Sequence, residues 1–176
     1  MPHNIVLIGF MGSGKSTVGK LVAELLGWKL VDTDALIVRL AGCSIPEQFA
    51  AEGGETAFRD RESQIVLGVS AGERQVIATG GGAPLREENA AALRGAGKVV
   101  WLTARPDIVV KRTAHRRTAR PLLDTEEEPL TRVLRMMGER GPVYQRLAEL
   151  VVDTSDRPPI AVAREIVRRS GLNATS

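Results

Sequence analysis

Asn4-Ile5-Val6-Leu7-Ile8-Gly9-Phe10-Met11-Gly12-Ser13-Gly14-Lys15-Ser16-Thr17 is the stretch that decides the fold. A short apolar run, read as a buried strand, ends in a glycine. From that glycine, Gly9 to Ser16 match G-x-x-x-x-G-K-[ST] in full. Behind them Val18, Leu21, Val22, Leu25 and Leu26 recur with the helical period, and Gly27 is a plausible C-cap. Strand, glycine loop and helix together make a phosphate cradle. Glycines let backbone N–H groups turn inward around an anion, and the helix N-terminus adds partial positive charge. Gly12, Ser13, Gly14, Lys15, Ser16 and Thr17 are the candidate nucleotide-binding residues. Lys15 is placed to reach the β- and γ-phosphates, and the Ser16 hydroxyl to ligate Mg²⁺. A nucleoside triphosphate with Mg²⁺ is therefore the expected ligand.

Outward from the loop, short apolar runs alternate with helical segments. Leu30-Val31, Gln75 to Thr79, Lys98 to Thr103 and Leu150 to Asp153 read as further strands. The segment from Ala35 to about Ser70 reads as mostly helical, broken near Gly42 to Pro46 and at Gly53-Gly54. Leu130 to Glu139 and Tyr144 to Glu149 read as two helices with a break at Gly141-Pro142. The strands are near-continuous apolar runs, as expected when helices cover both faces. The fold class is α/β: a three-layer, doubly wound parallel sheet of about five strands, in one domain over residues 1–176. The polar stretch from Ala114 to Pro129 reads as a loop.

Composition narrows the function. The chain has 176 residues, 43% hydrophobic and 26% charged, with one cysteine, Cys43. That excludes a disulfide scaffold, and no apolar run approaches the ~18 residues of a membrane span. No secretory signal is legible at Met1 to Ile8, so the expectation is a cytoplasmic protein. Of the 24 basic residues 19 are Arg, yet the net charge is only +3 and aromatics are 3%. Nucleic-acid binding is not expected, because stacking residues are too few. Either the surplus is compositional, or some arginines grip planar anions. No Asn-Lys-x-Asp guanine-reading segment is present. The length suits a small-molecule or nucleotide kinase.

Two features mark the acceptor side. Asp32 and Asp34 lie one residue apart at the carboxyl end of the second strand, where open α/β sheets bind ligands. One can hold Mg²⁺ and the other can accept a hydroxyl proton, although either could also be a helix N-cap. Thr33 between them is expected to point away. Gly80-Gly81-Gly82 ends the third strand at the same edge, where main chain can approach a ligand and offer N–H groups.

These residues resemble the shikimate kinase family. The resemblance rests on Gly9 to Thr17, Asp32-Thr33-Asp34, Phe58-Arg59, Gly80-Gly81-Gly82-Ala83, Arg120-Pro121-Leu122-Leu123 and Arg140-x-Pro142-x-Tyr144, in the family's order. It implies a P-loop kinase fold with a helical substrate-binding segment at about 33–62 and a lid at about 113–125. It implies transfer of the γ-phosphate of ATP to the 3-hydroxyl of shikimate, in aromatic amino acid biosynthesis. Lys15, Asp34 and Arg120 would be catalytic, with Asp34 as the base and Arg120 closing on the moving phosphate. Arg59 and Arg140 would bind the substrate carboxylate, and Gly80, Gly81 and Gly82 would line its pocket through backbone. Ser16 and Asp32 would serve the metal. Arg112 and Arg157 would border the nucleotide. ATP and shikimate are the implied partners, with a monomer as the implied state.

The residues alone leave alternatives. Arg59 three residues before Glu62 is also the spacing of a surface ion pair, and Arg140 could be a helix-end cation. A kinase of another small acceptor, such as gluconate or a nucleoside monophosphate, is the rival activity. A non-catalytic nucleotide- or nucleic-acid-binding module is the rival class.

Overall fold

The computed structural model describes residues 3–114 and 127–172. The strands are β1 (Asn4–Ile8), β2 (Lys29–Asp32), β3 (Gln75–Ala78), β4 (Lys98–Thr103) and β5 (Leu150–Asp153). They form one sheet in the order β2-β3-β1-β4-β5, and every pairing is parallel. The helices are α1 (Lys15–Leu26), α2 (Thr33–Ala41), α3 (Ile45–Ala50), α4 (Gly54–Ser70), α5 (Glu87–Ala96), α6 (Pro106–Thr113), α7 (Pro129–Leu147) and α8 (Pro159–Arg169). A 3-10 turn covers Ala83–Leu85.

Alternation along the central strand builds the three layers. Successive side chains of a strand face opposite ways. Ile5 and Leu7 join Val18, Val22 and Leu26 of α1 and Val162 and Ile166 of α8. Val6 and Ile8 join Val66 of α4, Leu93 of α5 and Tyr144 and Leu147 of α7. Each such side chain fully buried contributes about 1.5–3 kcal/mol. Because β1 lies between β3 and β4, its carboxyl end is where the connections diverge, and the glycine loop sits there.

The expected break at Gly141-Pro142 is absent: α7 runs unbroken through Pro142. A proline inside a helix forfeits one backbone bond and costs about 3 kcal/mol. Val133, Met136, Tyr144 and Leu147 are all buried along one stripe of this helix, and that burial outweighs the proline. Arg140 is consequently a buried mid-helix residue and not a helix-end cation.

Candidate active site

The loop between β1 and α1 is held by glycines where other residues would not fit. Gly14, the N-cap of α1, has φ 95°. Gly9 has φ 143°, and a Cβ there would run into the Leu102 carbonyl. The buried Lys15 spans the loop, its Nζ donating to the Gly9 and Phe10 carbonyls at 2.8 and 2.9 Å. Arg112 holds the outer side: its guanidinium donates to the carbonyls of Gly12 (3.2 Å) and Thr154 (2.8 Å) and to the Thr154 hydroxyl (3.0 Å). The Thr154 hydroxyl lies 2.9 Å from the Ser13 carbonyl. A cleft of about 380 Å³ opens over this floor. All six loop residues from Gly12 to Thr17 line it, with Asp32, Asp34, Gly81, Arg112 and Arg157. Arg157 is steadied by Glu165 at 2.6 Å.

Asp32 does two jobs. Its Oδ1 accepts from the Ala35 N–H as the N-cap of α2, and its Oδ2 accepts from the Ser16 hydroxyl at 2.5 Å. Capping and ligand chemistry are thus compatible. A hydroxyl and a carboxylate side by side next to a phosphate cradle are hard oxygen donors of the kind Mg²⁺ takes. Among the described residues no three His, Cys, Asp or Glu side chains form a self-sufficient metal cage. One carboxylate completed by substrate phosphates is a common arrangement for Mg²⁺.

Thr33 points away from the cleft that Asp32 and Asp34 line, as expected. It is fully buried, and its Oγ1 accepts the Gly80 N–H at 2.9 Å, tying the start of α2 to the glycine run. The Gly80 amide is therefore engaged, contrary to the expectation that it would face a ligand. What Gly80 supplies is space. A Cβ there would lie 2.5 Å from Asp34 Oδ1 and 2.9 Å from Glu62 Oε1. Gly82 likewise leaves room for the Arg59 guanidinium. Gly81 faces Arg140, whose Nη1 would be 3.6 Å from a Cβ.

Arg59 and Glu62 do pair at i,i+3 on α4, at 2.7 Å, but not on the surface: Glu62 is 1% exposed and Arg59 is 15% exposed. Glu55 holds the other side of Arg59 at 3.2 Å. Burial pushes the Glu62 carboxyl above the ordinary glutamate range; Arg59 opposes the shift and Asp34 adds to it. Burial works against the Arg59 charge too, yet its two carboxylate partners prevail and hold its pKa above the usual arginine value. Across the glycine run, Arg140 lies over the Phe10 ring, 5.5 Å from its centroid. Two guanidinium groups thus flank Gly81 and Gly82, with Asp34 and the phosphate loop alongside.

A family model for shikimate kinase matches residues 11–170. The chain belongs to the shikimate kinase family. Shikimate kinases of Moorella thermoacetica and Symbiobacterium thermophilum are 46% and 45% identical to it over 166 residues. Those alignments cover 94% of this chain and 93% and 95% of the relatives. Among solved structures, shikimate kinase from Acinetobacter baumannii in complex with shikimate superposes with a TM-score of 0.91 at 36% identity. It covers 96% of this chain and 92% of that one. The chain is accordingly an ATP-dependent kinase, and the five-stranded P-loop architecture is that of the family.

Arg120, and with it His115, Arg116, Arg117 and nearly all of the expected lid, lies outside the described residues. The sequence reading missed Thr33, Glu62 and Thr154 as parts of the site. Glu62 carried the one usable signal, its i,i+3 spacing from Arg59, but spacing cannot say that the pair is buried. No pattern marks a threonine whose partner is a backbone amide 47 residues away. Among the described residues no helix is long and apolar enough to cross a membrane.

Proposed function

We propose that the chain transfers the γ-phosphate of ATP to the 3-hydroxyl of shikimate, giving shikimate 3-phosphate and ADP for aromatic amino acid biosynthesis. The observation that carries this reading is the pair Arg59 and Arg140 flanking the Gly81-Gly82 shelf beside Asp34. A planar carboxylate needs paired guanidinium donors. A ring hydroxyl held next to the phosphate loop needs a carboxylate to orient it. Gluconate also carries a carboxylate, but it is an open chain, whereas the shelf is a rigid backbone surface suited to a ring. A non-catalytic module would have no use for this acceptor side.

The chemistry follows from position. Loop N–H groups and Lys15 hold the β- and γ-phosphates. Ser16 and Asp32 are the residues that would hold Mg²⁺. Bound there, Mg²⁺ would neutralise phosphate charge as the bond to the leaving oxygen lengthens. Arg59 and Arg140 fix the carboxylate end of the acceptor. Asp34 orients the hydroxyl and takes its proton as the oxygen bonds to the γ-phosphorus and ADP departs. On its motif, Arg120 is assigned to the charge on the transferring phosphoryl group. Catalysis is positioning and electrostatic stabilisation. Arg112 and Arg157 border the nucleotide.

The test is a coupled ADP-release assay with shikimate, gluconate and nucleoside monophosphates as acceptors. Release with shikimate alone is expected; release with another acceptor and not with shikimate overturns the assignment.

A further inference from the structure

The Arg140-x-Pro142-x-Tyr144 segment has so far supplied only its arginine. Tyr144 is 2% exposed, and its ring packs 5.8 Å from that of Trp101. A buried phenol of this kind needs a partner. Its O–H donates to the Gly81 carbonyl at 2.5 Å, across 63 residues of sequence. One helical turn earlier stands Arg140, close enough for its charge to act on the same phenol. Burial raises the Tyr144 pKa and the Arg140 charge opposes it only in part, so the phenol stays protonated. Gly81 in turn touches the phosphate loop: a Cβ there would lie 3.5 Å from both the Gly9 carbonyl and the Met11 nitrogen.

We infer that Tyr144 is a positioning residue for the acceptor, holding the Gly81 peptide of the glycine shelf against the guanidinium of Arg140 through one hydroxyl that donates to the Gly81 carbonyl. A buried phenol whose one proton is committed to a backbone carbonyl has a defined orientation. It holds the Gly81 peptide at a set distance from the Arg140 guanidinium and from the phosphate loop. Without it, the shelf beside Arg140 is no longer fixed, and the Phe10 ring beneath the guanidinium sets no rotation about its long axis. The inference rests on the proposed function, because it concerns recognition of the acceptor carboxylate.

Tyr144→Phe keeps the ring and its packing and removes the hydroxyl alone. The expected result is a rise of about tenfold in KM for shikimate, the upper scale of one buried hydrogen bond. KM for ATP and kcat should stay within about twofold. Discrimination between shikimate and its methyl ester should shrink in proportion. In an Arg140→Lys background the same substitution should add little, since both act on one contact. An unchanged KM for shikimate overturns the inference. So does an equal loss toward ATP, or a full multiplicative effect with Arg140→Lys. If the wild-type protein does not phosphorylate shikimate, the functional reading fails first and the inference falls with it, an outcome distinct from a working enzyme indifferent to Tyr144→Phe.

Discussion

Gly80→Ala is the sharpest single probe of the site. Gly80 does not occupy a left-handed backbone region, so alanine is acceptable to the main chain and the effect isolates the added methyl. That Cβ would sit 2.5 Å from Asp34 Oδ1 and 2.9 Å from Glu62 Oε1. Ordinary contact begins near 3.4 Å, so Asp34 must retreat by about 1 Å and Glu62 by about half that. Neither can swing freely. Asp34 sits in the first turn of α2, and Glu62 is buried and paired with Arg59. A misplacement of about 1 Å at a reacting group costs on the order of 10²-fold in rate. Steady-state kinetics should therefore show kcat down about a hundredfold, a raised KM for shikimate as Arg59 follows Glu62, and an unchanged KM for ATP. Nucleotide affinity is spared because the Gly80 carbonyl and amide bonds to Ala83 and Thr33 survive. A Gly80→Ala enzyme with wild-type kcat would refute the reasoning, since the methyl could then be accommodated without disturbing Asp34.

Other perturbations separate the roles. Asp34→Asn should abolish most turnover while leaving ATP affinity, measured by calorimetry, nearly intact; loss of ATP affinity instead would move Asp34 to the nucleotide side. Asp32→Asn should raise the Mg²⁺ concentration needed for half-maximal rate while leaving stability nearly unchanged, because asparagine caps a helix about as well as aspartate. Glu62 titrates above the ordinary glutamate value of about 4.3, so the native state binds its proton at higher pH than the unfolded chain. Its contribution to stability therefore falls as pH rises between those two values. Binding runs the other way, because only ionised Glu62 holds Arg59. KM for shikimate should climb as pH falls, starting above the ordinary glutamate range, and Glu62→Gln should flatten that limb while raising KM throughout.

The parts of the molecule legible in sequence are those whose cause is local. The strand-loop-helix at Asn4 to Leu26 is written in its own glycines and apolar period, and all five strands appear near their expected positions. The helix through Pro142 was not legible, because the burial that overrides the proline comes from distant strands. The site divides the same way. Ser16 and Asp32 were found from motif and strand-end position, and the structure brings them to 2.5 Å. Thr33 turns from the cleft as expected, but its bond to the Gly80 amide was not legible, because the partner lies 47 residues away. The tripeptide Gly80-Gly81-Gly82 announced close approach, but not of what. The structure shows a separate reason at each position: carboxylates at Gly80, the phosphate loop and Arg140 at Gly81, and the Arg59 guanidinium at Gly82. The arginine surplus resolves in part: Arg59, Arg112 and Arg140 have built surroundings at the site, while Arg39, Arg74 and Arg168 lie at the surface.

The central claim is that this site phosphorylates the 3-hydroxyl of a carboxylate-bearing ring. The most direct test is ³¹P NMR of the reaction of the purified chain with ATP, Mg²⁺ and shikimate. The account predicts one new phosphomonoester resonance, coupled to the C3 proton of the ring and growing in step with ADP. A spectrum showing only inorganic phosphate beside ADP, or phosphate on another hydroxyl, would contradict it.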